Sequence, residues 1–511
     1  MIFRTLVLVL AFMVANSTAL ADQQTYIVHI DKTKIRASIH SQDSSKPWFE
    51  SIIDSISEAS MQEDGEEDIL APQLLYAYET SMFGFAAHLS KKHLKYLNQV
   101  EGFLSAIPDE LSTLHTTYSP QFLGLRSATK EAQYCTGGSL DPKLVHGKIV
   151  ACERGINGRT EKGEEVKMAG GSGMILLNNE YQGEELFADP HILPATSLGA
   201  SASKIVRSYS ESVKKPTASI SFMGTKFRDP APVMAAFSSR GPSLVGSDVI
   251  KPDVTAPGVN ILAAWPPKIS PSFLKSDKRK VSFNILSGTS MSCPHVSGIA
   301  ALLKSLHKDW SPAAIKSALM TTAYTLNNKG APISDMAYND SPLATPFVFG
   351  SGHVNPVSAS DPGLVYDIST KDYFNYLCNI NYTSSQIALL SRSNFVCSRK
   401  AFLQAGDLNY PSFAVLFGRS AFNASVTYRR VVTNVGKSRS SYAVKVEQPN
   451  GVSVSVEPRK LKFEKLGQKL SYNVTFLATG GGKVGGSSSF GSLIWVSDRY
   501  KVRSPIAITW Q

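Results

Sequence analysis

The first part of the chain alternates hydrophobic and polar residues over short stretches. "QTYIVHID" (24–31) has the alternation of a strand, and "LLYAYETSMFGFAAHLS" (74–90) predicts two strands around Gly84. The leucines of "KKHLKYLNQV" (91–100) are spaced as on one face of a helix, and a polar stretch of helical character lies between the strands. The pattern predicts a small α+β unit that ends in the proline-containing segment 111–125.

The pattern changes between Cys135 and Phe222. "GKIVACERG" (147–155) predicts a short buried strand that a glycine ends. "EKGEEVKMAGGSGMILLNN" (161–179) predicts a charged helix, a glycine turn and a second apolar strand, and "ASASKIVRSYSES" (200–212) predicts a further helix. We expect a compact module of its own in this region.

The remaining half mixes helices and strands before it becomes purely strand-like. An apolar strand is predicted within "IKPDVTAPGVNILAAW" (250–265), and an apolar helix begins near His295. Ser311, as a cap followed by a proline, predicts a second helix over 309–323. From about Asp407 onward, alternating stretches such as "SVTYRRVVTNV" and "SYNVTFLA" predict antiparallel strands and a terminal β-sandwich.

Length, composition and the N-terminal residues indicate the class of protein and its cellular compartment. The 511 residues, with 43% hydrophobic and 18% charged, are those of a globular multidomain protein and not of a disordered one. Arg4, the apolar stretch 6–14 and the small-residue site Ala19-Leu20-Ala21 predict a secretory signal peptide cleaved after Ala21. The alternative is a membrane-anchoring helix, which the short apolar stretch disfavours. We expect a secreted protein without a membrane span.

Secretion changes what the cysteines predict. In an oxidising compartment the local pairs Cys135–Cys152 and Cys378–Cys397 are expected to be bridged, which leaves Cys293 over. Cys293 lies three residues after Ser290. A Cys–His nucleophile is conceivable there, but a small buried helix residue is the favoured interpretation.

Surface chemistry narrows the expected partners. Asn-X-Ser/Thr sequons that fit a glycosylated extracellular protein lie at Asn339, Asn381, Asn423 and Asn473. The net charge of +11 favours acidic surfaces such as wall polysaccharide. No basic run interleaved with aromatics occurs, so no nucleic acid is expected. No His/Cys group has zinc spacing and no acidic run has the pattern of a calcium loop, so neither a metal nor a cofactor is expected.

The segment "NILSGTSMSCPHVSG" (284–298) carries the candidate chemistry. Ser290 would lie at the N-terminus of the following helix, where the dipole and free N–H groups favour a developing oxyanion. Pro294, expected in the first turn, supports a helix start here. The alternative is that Ser287 or Ser290 merely caps a core helix.

The wider sequence bears on this choice. "SGTSMSCPHVSG" is similar to the serine motif of the subtilisin-like serine proteases, and "FSSRGPS" and "KPDVTAPGVNILAAW" resemble later segments of their catalytic domain. "TTYSPQFLGL" (116–125) looks like the mature N-terminus of the plant-type subtilases, with His115 just before the usual maturation point. By this resemblance Ser290 is the nucleophile, its N–H is one oxyanion donor, and the product is secreted to the cell wall or apoplast.

The resemblance also implies a domain order and a fold class. We expect an α/β protein with an incomplete subtilisin-like doubly wound parallel sheet, an α+β prodomain, a protease-associated insert and a C-terminal fibronectin-III-like sandwich. The expected boundaries are 1–21 for the signal peptide, 22–115 for the inhibitor prodomain, 116–133 for the mature N-terminus and a junction, 134–222 for the protease-associated domain, 223–400 for the C-terminal part of the catalytic domain and 401–511 for the sandwich.

Two parts of the family's triad cannot be found in the chain. The family's aspartate lies in D-[ST]-G and its histidine in H-G-T-H, and neither pattern occurs here; the asparagine that completes the oxyanion hole is also missing. Of ten histidines, His146 alone is followed by glycine, and it continues Lys-Ile. The chain steps from "FLGLRS" to "QYCTGG", so we expect one block of the catalytic domain to be absent and the apolar faces of "VNILAA", "FNIL" and the serine helix to be uncovered.

Three functional hypotheses follow. By family, the protein is a serine endopeptidase acting on protein or peptide substrates, yet without its base this chain is expected to be inactive. Alternatively it is a non-catalytic binding protein that acts through its prodomain or its protease-associated domain on a full-length subtilase. The third hypothesis is a product without function. The sequence leaves the oligomeric state open.

Overall fold

The structure, a computed structural model, describes residues 23–31, 45–62, 71–79, 82–109, 131–222, 229–337, 342–392, 395–397, 404–480 and 487–511. The expected signal peptide, His40, His115 and most of the expected junction 116–133 lie outside these ranges. The chain divides into two units, Met1–Thr113 with Tyr382–Cys397, and Leu114–Asn381 with Ser398–Gln511. No helix of the described ranges is both long and apolar enough to cross a membrane.

Within residues 23–109 the first unit contains an antiparallel four-stranded sheet in the order β2-β3-β1-β4, with two helices. Its elements are β1 (Gln23–Ile30), α1 (Lys46–Gln62), β2 (Gln73–Tyr78), β3 (Gly84–Ser90), α2 (Lys91–Leu97) and β4 (Phe103–Pro108). Helix α1 buries Phe49, Ile52 and Ile56, which its 3.6-residue period brings to one face, against Val28 and Phe85 of the sheet. The α+β prediction is confirmed, including both strands around Gly84.

The module at residues 131–222 has a parallel sheet in the order β5-β6-β7. Its elements are α3 (Pro142–Val145), β5 (Ile149–Glu153), α4 (Arg159–Met168), β6 (Gly173–Leu177), β7 (Ala195–Leu198) and α5 (Ala200–Ser212). The Cys135–Cys152 disulfide lies in its core. The predicted order of strands and helices is confirmed, and β7 is an additional strand.

Lys162 is the buried cation of this module. Its side chain is 0% exposed, and its ammonium donates to the carbonyl oxygens of Tyr134 at 2.6 Å and Gly155 at 2.7 Å and to Asn157 Oδ1. Burial lowers the pKa of Lys162 to about 7. The three acceptors belong to the loops on either side of the disulfide-bonded strand β5, so one side chain joins these loops.

The region around Ser290 has helices and one short hairpin. Its elements are β8 (Ile261–Ala264), β9 (Phe283–Leu286), α6 (Thr289–Leu306), α7 (Pro312–Thr321), α8 (Pro346–Phe349), α9 (Pro356–Ala359), β10 (Leu364–Val365) and α10 (Thr370–Asn379). Strands β8 and β9 pair antiparallel, and within residues 229–337 and 342–379 the structure describes no parallel sheet.

Helix α6 is covered on one side. Leu303 is 2% exposed and packs with Trp310, Ile315 and Leu319, whereas Leu302 and Leu306 are 65% and 66% exposed. Its other exposed residues are Thr289, Ser290, Cys293, Pro294, His295, Ser297, Gly298, Ala301, Lys304 and Ser305. Strands β8 and β9 also leave large apolar side chains exposed. The expected uncovered faces are thus confirmed in the described residues.

The start of α6 corrects the sequence prediction. The helix begins at Thr289 and not near His295, and Pro294 is its sixth residue and not part of the first turn. Proline at that position has no N–H to donate to the Ser290 carbonyl, yet the helix continues through it. Proline is typical of the first turn of a helix, whereas here it lies in the helix interior.

The C-terminal region forms the predicted sandwich of two sheets, β10-β12-β16-β14 and β11-β18-β17-β13-β15. Its strands are β11 (Phe413–Phe417), β12 (Ser425–Asn434), β13 (Ser440–Glu447), β14 (Val452–Glu457), β15 (Lys460–Phe463), β16 (Lys469–Ala478), β17 (Ser488–Val496) and β18 (Lys501–Trp510). The inward positions of the alternating strands, with Tyr472, Trp495 and Trp510, fill one core. Helix α11 (Ser384–Ser391) precedes the sandwich in the chain and groups with the first unit.

We expect Lys162→Met to destabilise the 131–222 module by about 3 kcal/mol, because the buried acceptors lose their donor. Limited proteolysis of the full chain in a urea series, with cleavage mapped to this module, measures the change. Lys143→Met, at an exposed position of α3, is the matched control and should alter the midpoint little. Equal midpoints for the two variants would contradict the role given to Lys162.

Candidate active site at Ser290

The serine segment joins strand β9 to helix α6. Gly288 is the N-cap residue, its φ of 162° is extended, and no side chain caps the helix. The first intrahelical bonds start beyond Ser290, because the opening N–H groups of a helix have no carbonyl one turn before them. The Ser290 side chain is exposed. An exposed hydroxyl therefore lies beside free backbone donors at the positive end of a helix dipole.

The loop 255–260 holds this segment through hydrogen bonds. The Gly288 N–H donates to the Gly258 carbonyl at 2.8 Å, and Ser292 Oγ donates to the Ala256 carbonyl at 3.0 Å. A Cβ atom on Gly258 would overlap Ser292 Oγ, so the close approach of the loop to α6 requires glycine here. The Asn260 N–H donates to Ser287 Oγ at 2.8 Å. Sequence reasoning identified the serine but missed this supporting loop.

His295, five residues after Ser290 in the chain, and His353 have other partners. The ring Nδ1 of His295 lies 2.8 Å from the Met291 carbonyl, one turn earlier on the same helix. His353 contacts the Val354 carbonyl through Nδ1 at 3.1 Å and the ring of Tyr324. Burial lowers the pKa of His353, and the charge of His295 lowers it further. Both rings are positioned by backbone carbonyls and not by the serine.

Two further described histidines, His307 and His191, also have other partners. His307 stacks on Trp310 with 3.8 Å between ring centroids, and its Nε2 lies 2.8 Å from the Ser360 carbonyl. His191 faces Asp189, and burial lowers its pKa. Among the described residues, no histidine or carboxylate is hydrogen-bonded to Ser290. The described site can thus offer hydrogen-bond donors to a carbonyl oxygen, but it holds no group positioned to take the serine proton.

The cysteines and the potential metal ligands of the described chain were the other candidates for chemistry. Cys135 and Cys152 are bridged with a Cα–Cα distance of 5.7 Å, Cys378 and Cys397 are also disulfide-bonded, and Cys293 is free. The predicted pairing is confirmed. The prediction that Cys293 is buried is wrong: it is exposed, because it lies on the uncovered side of α6. The described ranges contain no group of three or more His, Cys, Asp or Glu side chains that could hold a metal ion.

Comparison with known proteins assigns the regions that surround this site. A model of the subtilase family matches residues 164–352, which include Ser290 and the loop 255–260. The subtilisin-like proteases SBT1.7 and SBT1.3 of Arabidopsis thaliana are 51% and 49% identical to the chain over 408 and 396 residues. The chain belongs to the subtilase family. The match to SBT1.7 covers 79% of this subtilase and 52% of SBT1.7. The match to SBT1.3 covers 77% of this subtilase and 50% of SBT1.3.

The remaining regions of this subtilase match further family models. Residues 25–115 match a peptidase inhibitor I9 model, 120–206 a PA domain and 407–508 a fibronectin type-III domain. The subtilase fold class with these accessory domains is thereby confirmed. The chain spans about half the length of the curated relatives it matches.

Titration of the native protein with a thiol reagent such as DTNB should release about one equivalent per chain, because Cys293 is exposed and the other cysteines are bridged. The reaction should need no denaturant and should disappear in Cys293→Ser. A native protein with no reactive thiol, together with a Cys293-containing disulfide in peptide maps, would refute the assignment.

Proposed function

We propose that this subtilase is a secreted protein in which Ser290 holds the nucleophile's position without a base to activate it. The observation that carries the proposal is the surroundings of the serine: its hydroxyl is exposed, and it has no hydrogen bond to a histidine or carboxylate in the described ranges. The sequence contains neither the D-[ST]-G nor the H-G-T-H pattern. In this proposal a block of the catalytic domain with both motifs is missing between "FLGLRS" and "QYCTGG".

The chemistry sets the size of the defect. In the family reaction the serine oxygen attacks a peptide carbonyl carbon, a histidine takes the hydroxyl proton, and that proton goes to the leaving amine. Here Ser290 could attack and its N–H could donate to the oxyanion, but the proton would have no acceptor. In subtilisin, loss of the histidine alone lowers kcat by about a million-fold. We therefore propose that hydrolysis of protein or peptide substrates by this chain is negligible.

The proposal includes the environment and organisation of the protein. We propose that the signal peptide is cleaved after Ala21 and that the protein is exported to the apoplast. The disulfides support this, because disulfides persist in oxidising compartments. Exposed sequons such as Asn381 and Asn423 would then carry glycans. The domain boundaries at 115, 133, 222 and 400 are retained as part of the proposal.

Failure of self-processing tests the main proposal. An active zymogen would cut after His115, and the absence of a base should prevent this cut. We expect expression in a host without related proteases, followed by N-terminal sequencing, to give a protein that keeps residues 22–115. Ser290→Ala is the matched control and should behave identically. A new N-terminus at Thr116 that Ser290→Ala abolishes would show that another group activates the serine.

A second function is supported by the first unit. Residues 23–109 include a sheet and two helices with their own core, and the I9 inhibitor model matches this region. A folded inhibitor domain needs no catalytic residue of its own to bind a protease. We propose that the chain can bind a full-length subtilase in trans, with the segment that ends at His115 in the substrate cleft.

Added to a full-length plant subtilase, the full chain should inhibit hydrolysis of a fluorogenic peptide saturably. His115→Asp should weaken inhibition at least about tenfold, since a charge would replace the residue before the cleavage point. Gln24→Asp, an exposed position on β1, introduces the same charge as a control and should not. Inhibition that is absent, or equally weakened by both substitutions, would rule out this mode of binding.

A further inference from the structure

Asn260 connects two regions that are far apart in sequence. Its side-chain Oδ1 accepts a hydrogen bond from the Ala188 N–H at 2.9 Å, which belongs to the 131–222 module. The same Oδ1 accepts from Ser287 Oγ at 3.2 Å, and the Asn260 N–H donates to Ser287 Oγ at 2.8 Å. One carboxamide oxygen therefore joins the module to the segment that ends in Ser290.

The backbone of Asn260 suits this position. Its φ of 54° lies in the left-handed region, which asparagine tolerates better than most residues other than glycine. The next residue begins strand β8, which pairs along its length with β9, and β9 leads directly into the serine segment. Asn260 thus lies at the start of the β8–β9 pair, whose second strand leads into the serine segment.

The module holds its side of this contact firmly. Asp189, next to Ala188, accepts two hydrogen bonds from Arg159 of α4, at 2.6 and 2.8 Å. Three residues before Ala188, the buried Glu185 accepts the Ala236 N–H at 2.8 Å. An ion pair with two hydrogen bonds fixes both distance and orientation. The Ala188 N–H is consequently presented by a short segment anchored on both sides.

The serine side is held by the same loop. Gly258 accepts the Gly288 N–H, and Asn260 holds Ser287, so two residues of loop 255–260 fix two consecutive residues before Thr289. The Gly288 carbonyl in turn accepts the Met291 N–H at 3.0 Å. A displacement of Asn260 would therefore reach the first turn of α6 through hydrogen bonds alone.

We propose that Asn260 is a positioning residue through which the 131–222 module holds the serine segment in place. The module then acts on the first turn of α6 through one side chain. This proposal concerns the order of the segment and holds whether or not Ser290 reacts, so its failure is distinguishable from failure of the proposed function.

Asn260→Gly tests the contact in the full chain. Glycine adopts the left-handed backbone conformation but has no carboxamide, so the change removes the hydrogen bonds to Oδ1 without backbone strain. Amide hydrogen exchange at Gly288, Met291 and Ala188, whose N–H groups are hydrogen-bonded, should become about tenfold faster, as loss of two ordinary hydrogen bonds would produce. Asn423→Gly, also at a left-handed asparagine (φ 56°) but in the sandwich, is the matched control and should leave these amides unchanged.

Two more variants separate positioning from a general structural role. Asn260→Asp retains an acceptor oxygen and should keep exchange within about twofold of wild type. Asp189→Asn weakens the anchor of the module and should speed exchange at Gly288 and Met291 several-fold when Asn260 is present, but not in the Asn260→Gly background. An equal effect of Asp189→Asn in both backgrounds, or unchanged exchange in Asn260→Gly, would overturn the proposal.

Discussion

Helix α7 is buried along its length, and this burial fixes the elements on both of its sides. The buried residues of this ten-residue helix include Ala313 to Ile315 and Ser317 to Thr321. One side packs against Leu303 of α6. On the other, Ser317 Oγ accepts the Tyr366 N–H at 2.9 Å, and the Tyr366 hydroxyl reaches Tyr472 of the sandwich at 2.7 Å. Because α7 is covered by both neighbours, the helix that carries the serine is connected through α7 to the C-terminal sandwich.

Local signals made a large part of this fold predictable, and long-range contacts account for the rest. The alternation of the C-terminal strands and the Ser311 cap act over a few residues, so they could be recognised in sequence. The exposure of Cys293 could not, because helical periodicity does not reveal whether another element covers a given face. Asn260 was equally hidden: its partner Ala188 lies 72 residues away, and no motif relates the two. The serine was found because its setting is a continuous segment.

The site separates two requirements that an active serine hydrolase meets together. Placement of the hydroxyl and of the backbone donors depends on loop 255–260 and α6, and these are present. Activation depends on a proton acceptor from elsewhere in the chain, and the described residues provide none. One missing block would explain two observations together, if it contained both the proton acceptor and the element that covers the apolar side of α6. In that case the exposure of Leu302 and Leu306 and the lack of a proton acceptor would have the same cause.

Pro294 has a consequence for motion. Because it offers no N–H, the Ser290 carbonyl lacks the bond that would tie the first turn of α6 to the second. The turn that bears the serine therefore has one helical hydrogen bond fewer and depends correspondingly more on its tertiary contacts. Local opening of this turn is a separate event from unfolding of α6, with a free-energy cost set by tertiary contacts and not by helix length. Lengthening or strengthening α6 toward Leu306 would leave the opening rate of its first turn unchanged.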